Sequence, residues 1–520
     1  MPRRGDPVQP ARSRGREDAR VRRGRGAKAD VVREVNYRRL RNPFPPMSVV
    51  SDDRLEAIHE AALTVLEDLG LRVLLPEARA LFAKAGARVE EDMVWIGRDI
   101  VAAALASAPK AIRLHGGTPA RDVDWSPGAL TFMPASGTPH ATDRERGRRP
   151  GTARDYRELI RLVHHFDVLH LHAPIVEPQD VPVHLRHYFA MDAQMRLSDK
   201  VPNVYARGRP QVEDSFEMVA LARGLSDEAF HGGVHCWGVI NSNSPRTLDI
   251  PMAQGLIDFA RHKQVTVMTP FTLMGAMAPI TVAGAMTLSH AEALAGIALT
   301  QCARAGAPVM YGTFTSNVDM KSGAPAFGTP EHVKASLLAG QLARRTGLPW
   351  RCAAGSASNL ADAQGANENQ MGLWGCLLAG ATTTLHSTGW LEGGLTVGYE
   401  KLVVDVEVLQ MVAELCAPVD ASDEAIGLDA LAEVAPQGHF FAAGQTMRRY
   451  ATEFYAPILH DFSNFGTWTE RGGRDAEARA TDVWKAVLAE PEAAMLGDRQ
   501  GALDDFVARR TEEGGAPPES

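Results

Sequence analysis

The sequence lacks most of the features that announce a chemistry. Its 520 residues include five cysteines, Cys236, Cys302, Cys352, Cys376 and Cys416, an odd count scattered along the chain. No C-x-x-C joins any of them, so neither a disulfide framework nor a thiolate zinc site is indicated, and reduced thiols in a cytosol are expected. H-E-x-x-H and G-x-S-x-G are absent, which removes the helix-borne zinc site and the nucleophile elbow. His235 and Cys236 are adjacent and point to opposite faces of a strand, a poor metal pair, and no metal is expected. A formal charge of −8 gives no argument for nucleic acid, and 45% apolar with 23% charged residues is ordinary for a globular protein. No apolar core follows the arginine-rich N-terminus, so no secretory signal is read. The run from Gln264 to Ala291 has no Asp, Glu, Lys or Arg and is long enough to span a bilayer. Pro270, Pro279, Gly275 and Gly284 interrupt it, however, and a buried strand, its loop and an interior helix account for it better than a membrane span.

What is present is a rhythm. Residues 1–42 hold 14 Arg/Lys against five Asp/Glu without apolar periodicity, which predicts a disordered basic arm. Residues 43–128 predict a small N-terminal α+β cap. From 129 to 420, eight short apolar runs alternate with helical patterns: 129–136, 167–174, 202–208, 234–244, 265–272, 308–317, 349–359 and 382–389. Apolar strands alternating with helices predict a parallel sheet, and eight units predict a (β/α)8 TIM barrel. An open doubly wound sheet is the alternative; no G-x-G-x-x-G follows the first strand to support it. A helical C-terminal extension is expected over 421–510 and a disordered tail over 511–520.

In a barrel the site lies where strands end and loops begin. Those positions offer Ser136, Glu177, Arg207, Asn241, Asn243, Thr272, Thr315, Asn317 and Asp319. The last two units add Ser356, Asn359, Asp362, Gln364, His386, Trp390 and Glu392, with glycines flanking both loops. Nearby aromatics are Phe132, Tyr205, Trp237, Phe271, Tyr311 and Phe314. Arg207 and Arg351 are the main basic residues in the set, too few for a sugar-phosphate site. Aromatics with a few carboxylates suit a cationic ligand such as a quaternary ammonium. Glu392 stands in an apolar stretch, where a carboxylate is expensive unless it has a partner or a job. It and His386 are the catalytic candidates. Trp237, Tyr311, Phe314, Trp390, Arg207, Asn241, Asp362 and Gln364 are the candidate substrate-binding residues. Each also has a plainer role open to it: the aromatics as core, His386 as a satisfied buried histidine, Asp362 as a helix cap.

Four segments carry a family resemblance: LRNPFPPMSVVSDDRLEAIHEAALTVLEDLGLRV, GTPEHVKASLLAGQLARRTGLPWRCAAG, DAQGANENQMGLWGCLLAGATTTLHSTGWLEGGLTVGYEKLVVD and GHFFAAGQTMRRYATEFYAPILHDFSNFGTW. Over roughly residues 40–510 the chain resembles the trimethylamine methyltransferase superfamily. The resemblance implies a (β/α)8 barrel that transfers a methyl group from a methylated amine to the Co(I) corrinoid of a separate carrier protein. Members acting on trimethylamine carry pyrrolysine, whereas this chain has only ordinary residues. It therefore resembles the non-pyrrolysine branch, which implies a quaternary amine such as glycine betaine. A betaine carboxylate would need a donor, for which Arg207, Asn241 or His386 could serve. With no D-x-H-x-x-G signature, cobalamin is expected on the partner and not on this chain. A homo-oligomer in the cytoplasm is expected. The alternatives are a non-corrinoid barrel lyase or demethylase of a small cationic metabolite, and a non-catalytic methylated-amine-binding protein.

Overall fold

The structure, a computed structural model, describes residues 36–519. Residues 1–35, most of the expected basic arm, and Ser520 of the tail lie outside the described residues. The chain divides into two compact units: Asn36–Asp420 with Ala456–Ser520, and a smaller one whose described part is Ala421–Tyr455.

The larger unit is an α/β fold on a mixed sheet. Ala129–Phe132, Thr383–Leu385, Trp350–Ala353, Val309–Gly312, Val265–Met268 and Trp237–Ile240 lie side by side in that order, all parallel. Leu40–Arg41 pairs antiparallel with Ala129–Leu130 at one side. These strands are almost wholly buried, as a parallel sheet covered by helices requires.

Two of the eight expected strands, 167–174 and 202–208, are extended segments that make single bridges. Leu171 bridges Val201 and Asn203 bridges Trp237, both in parallel sense. The His170 N–H donates to the Phe132 carbonyl at 2.9 Å, and the Val204 N–H to the Trp237 carbonyl at 2.9 Å. The ladder fails to extend for local reasons. Pro174 and Pro202 have no N–H to offer. The Phe132 N–H goes to the His170 ring, Nδ1 at 3.1 Å, in place of a carbonyl.

The covering helices start and stop where their sequences direct. Thr281, Thr329 and Asp362 each accept the backbone N–H three residues on, opening Val282–Ala303, Pro330–Thr346 and Ala363–Ala379. Gly347 and Gly380 close the last two in the left-handed conformation. Val282–Ala303 is the one helix among the described residues long and apolar enough to cross a membrane, and most of it is buried inside the unit. It takes up the end of the uncharged run, whose first part forms the strands Val265–Met268 and Phe271–Met274.

Residues 43–128 contribute the helices Asp52–Thr64, Pro76–Lys84 and Arg98–Ser107 and a small sheet. Thr247–Leu248 pairs with that sheet and ties it to the loop after Trp237–Ile240. The helical C-terminal region includes Ala476–Ala489, whose buried Trp484 donates its indole N–H to Glu400 at 2.9 Å, and Gln500–Glu512. The stretch after it, expected to be disordered, is held by its backbone: Ala516 N–H to the His184 carbonyl at 3.1 Å and Glu519 N–H to the Arg207 carbonyl at 3.0 Å. Likewise Arg38, inside the expected arm, donates to the carbonyls of Leu169 and His170 at 3.1 and 3.3 Å.

The described part of the smaller unit consists of the short helices Asp423–Ile426, Leu428–Glu433 and Gly444–Arg449 with a 3-10 turn, Phe440–Ala442. Gly427 sits at φ 71° between the first two helices.

Candidate active site

A cavity of about 610 Å³ lies at the C-terminal ends of the parallel strands. Its wall is made by residues past the strand ends, including Ser136, Glu177, Tyr205, Arg207, Asn241, Phe271, Phe314, His386 and Trp390, together with Arg351 from within the strand Trp350–Ala353.

The floor is aromatic. The Phe314 ring centroid is 5.0 Å from Phe271, 5.0 Å from His386 and 6.1 Å from Trp390. The His386 and Trp390 rings are in contact, with centroids 3.6 Å apart. Trp390 can take this place because glycines surround it. A Cβ on Gly355 would stand 2.7 Å from its Cδ1, and one on Gly394 would stand 2.3 Å from its Cζ2; both glycines have positive φ as well, 117° and 108°. The indole Nε1 is buried with no hydrogen-bond partner.

Arg351 enters the floor from the strand Trp350–Ala353 and is 2% exposed. Its Cζ lies 5.3 Å from the Phe314 centroid. Nη1 donates to the Thr313 carbonyl at 3.2 Å, and Nη2 stands 3.3 Å from His386 Nε2. A guanidinium can only donate, so Nε2 is the acceptor and the imidazole proton belongs on Nδ1. Burial first, and the Arg351 charge second, hold the His386 pKa well below the usual histidine value. Arg351 Nε has no partner, and among the described residues no carboxylate pairs with this guanidinium. Burial pushes its pKa down to about 10.

The rim is charged and internally paired. Glu177 is the one carboxylate among the described residues of the wall. Arg207 Nη2 donates to one of its oxygens at 2.9 Å and Arg186 Nη1 to the other at 3.1 Å. Arg207 Cζ is 5.5 Å from the centroid of Tyr205, whose buried hydroxyl has no partner. Asn241 spends its amide on the Thr269 carbonyl at 2.7 Å. The neighbouring loop is pinned from below by buried Glu292, which accepts from the hydroxyls of Ser242 and Ser244 at 2.5 and 2.6 Å and from the Arg246 N–H at 2.7 Å.

Two further devices set the last loops. One Glu368 oxygen accepts from the Ser356 hydroxyl at 2.7 Å and from the N–H groups of Ala357 and Ser358 at 2.8 and 3.0 Å. Its other oxygen takes Gln364 Nε2 at 2.8 Å. In the next loop the fully buried Lys401–Asp405 pair presents a carboxylate oxygen to the Gly389 N–H at 2.9 Å. Asn369 donates to the Ser387 carbonyl at 3.0 Å.

Of the ten residues singled out from the sequence, Phe314, Trp390, His386, Arg207 and Asn241 meet in this cavity. The other five are placed elsewhere. Glu392 has φ 54°, its carboxylate takes Arg148 Nε at 2.9 and 3.0 Å, and it does not line the cavity although Trp390 and Gly393 do. Trp237 is fully buried beneath the floor, packed edge-on against Trp125, with its indole N–H on the His172 carbonyl at 2.9 Å. Tyr311 points towards the helix layer, where its hydroxyl meets His290 Nδ1 at 2.9 Å. Asp362 caps Ala363–Ala379, and Gln364 serves Glu368. Arg351 is, with Glu177, Tyr205 and Phe271, a wall residue outside those ten. Its signal was the one that drew attention to Glu392, a charge in an apolar segment.

Residues 12–515 match the family model described as trimethylamine methyltransferase (MTTB). The chain is similar to glycine betaine methyltransferase of Desulfitobacterium hafniense, 31% identical over 475 residues that cover 91% of this chain and 99% of the relative. It is also similar to a trimethylamine methyltransferase MttB of that species, at 26% over 469 residues, 89% of this chain and 94% of the relative. Among solved structures, the Methanosarcina barkeri monomethylamine methyltransferase (MtmB) aligns over 89% of each chain with 10% identity and a TM-score of 0.47.

Proposed function

Because the chain belongs to the trimethylamine methyltransferase family, we propose that it moves a methyl group from a quaternary amine of the glycine betaine kind to the corrinoid of a separate carrier protein. The observation that carries this reading is the ring-lined floor built by Phe314, Phe271, Trp390 and His386. Aromatic faces attract a quaternary ammonium that cannot hydrogen-bond. The acceptor, cobalt(I), supplies the nucleophile. The C–N bond breaks with its electron pair left on nitrogen, and the product is a neutral tertiary amine. The chain need then supply neither a nucleophile nor a proton; its task is to hold the nitrogen and aim one methyl group outward. Neutral His386 suits that task as packing for Trp390. The exposed rim residues Arg207 and Leu395 border the opening through which a carrier would approach.

The same reading takes the sheet as a (β/α)8 barrel. Its support is the hydrogen-bonded sequence of neighbours from Phe132 through 170–172 and 201–204 to Trp237, with Thr383–Leu385 returning to Ala129–Phe132. It also takes the protein as a cytoplasmic homo-oligomer. Among the described residues of the smaller unit, Ala430 and Ala443 are the only buried apolar ones, while Leu428, Phe441 and Phe454 are more than 70% exposed, so a second copy is the natural cover.

The test is direct. The purified protein with glycine betaine and free cob(I)alamin should form methylcobalamin, faster with the carrier. If no quaternary amine in a broad panel yields methylcobalamin even with a corrinoid carrier, the reading fails.

A further inference from the structure

The charge balance of the cavity deepens the proposed function and rests on it. A quaternary ammonium alone is a poor match for this wall. The rim offers one carboxylate, Glu177, already engaged by Arg186 and Arg207. The floor adds the full charge of Arg351, which no described carboxylate neutralises. A buried guanidinium without a counter-charge is among the costliest groups a fold can keep, and such a group persists where something arrives to pair with it. The hydrogen bonds of Arg351 have the same meaning. Two of its nitrogens are spent on neutral acceptors, the Thr313 carbonyl and the His386 ring, which orient the fork without neutralising it. Its Nε is unpartnered.

We propose that Arg351 is the specificity-determining residue of the site: it binds the carboxylate of a short zwitterionic quaternary amine whose ammonium rests on Phe314 and Trp390. The geometry fits a short ligand because one ring borders both subsites. Phe314 lies 5.3 Å from the guanidinium carbon and 6.1 Å from the Trp390 ring. The same charge that draws the carboxylate repels a cation lacking one. At about 7 Å and an effective dielectric near 20, that repulsion is on the order of a 50-fold loss in affinity. Arg351 would thus exclude trimethylammonium compounds without an acid group while accepting betaines. Its place in the strand is also stiffer than that of Arg207, whose side chain is half exposed.

Calorimetry on the full-length protein, without carrier or corrinoid, separates the possibilities with three probes. Glycine betaine carries both charges, choline only the ammonium, and 3,3-dimethylbutyrate only the carboxylate on a neutral tert-butyl group. Glycine betaine should bind at least 50-fold more tightly than choline. Arg351→Gln should weaken glycine betaine and 3,3-dimethylbutyrate by about 100-fold, the scale of a lost charge-assisted pair, and leave choline unchanged or tighter. Arg351→Lys keeps the charge without the fork and should recover part of the loss, which also guards against a misfolded glutamine variant. Choline bound as tightly as glycine betaine by the wild type, or equal losses of both in Arg351→Gln, would overturn the proposal. If 3,3-dimethylbutyrate matches glycine betaine and both depend on Arg351, the carboxylate site stands and the quaternary-amine reading falls.

Discussion

The rim and the floor of the cavity handle charge in opposite ways. At the rim, Glu177 is shared by two guanidinium groups, and each of the three side chains has a partner before any ligand arrives. At the floor, Arg351 is buried deeper than any of them and, among the described residues, has neutral partners only. Of that cluster only Arg207 is half exposed, while Glu177 and Arg186 are largely buried, and because the charges are already paired with one another the cluster presents little net field to a ligand. An unpaired buried cation is felt by whatever enters. The difference teaches that the number of charged residues near a cavity says less than which of them are already spent. The floor is where a ligand's charge should be read, and the rim is where its access is shaped.

The sharpest way to break the comparison is to disturb the floor without touching a functional group. Gly394→Ala would force a methyl group into the Trp390 ring at a φ of 108°, and glycine betaine affinity should fall by 100-fold or more in titration calorimetry. Retained affinity would mean the indole is not part of the site. Phe314→Leu keeps most of the volume but removes the ring face, so a loss of about 10-fold in betaine affinity is expected, with 3,3-dimethylbutyrate hardly affected. An equal loss for both ligands would reduce Phe314 to packing.

Two buried imidazoles stand at the floor and behind it: His386, and His332, whose ring lies 5.7 Å from Phe327, which in turn stacks on Phe314 at 5.2 Å. Burial lowers His332 to about 4 and His386 well below the ordinary value of 6.5. The unfolded chain therefore takes up these protons first. The stability at stake is whole above about pH 6.5 and is lost as pH falls towards 4, at about 1.4 kcal/mol per pH unit for each histidine. Urea midpoints between pH 7.5 and 4.5 should show a shallower decline in His332→Gln than in the wild type; parallel declines would argue against a neutral His332. At the rim, Glu177→Gln should change betaine affinity only a few-fold. A loss larger than that of Arg351→Gln would reverse the comparison and make Glu177 the counter-charge of the ammonium. Smallest of all, Glu392→Gln should leave ligand binding within about twofold, because its carboxylate faces Arg148 at the surface. A tenfold effect would bring Glu392 back to the chemistry.

The strands and helices were legible because their signals are local. Period-two and helical apolar patterns, threonine and aspartate caps and closing glycines all lie within a few residues of what they control. The wall positions past the strand ends followed from the same reading, which is how Phe314, His386 and Trp390 came to notice. What was not legible depends on residues far apart in the chain. The turn that sends Glu392 outward is completed by Arg148, 244 positions earlier. Tyr311 and Trp237 sit on strands that were correctly expected, but which side chain faces the cavity depends on register and depth, set by neighbours such as Val265 and Trp350. The segments 167–174 and 202–208 have the apolar composition of strands, yet a histidine ring and two prolines break their ladders. Arg351 was visible as a charge in an apolar strand. Its lack of a counter-charge among the described residues could be seen only once the described carboxylates had a place.

The clasp that Glu368 makes on the loop at 356–358 has a consequence for the thermodynamics of occupancy. Four donors converge on one carboxylate before any ligand is present, so the loop whose Ser356 carbonyl holds the N–H of Gly393 at the cavity is already built when a ligand arrives. Binding should therefore avoid the ordering cost of coupled folding, and its heat-capacity change should be small and negative, as for a compact solute entering a finished pocket.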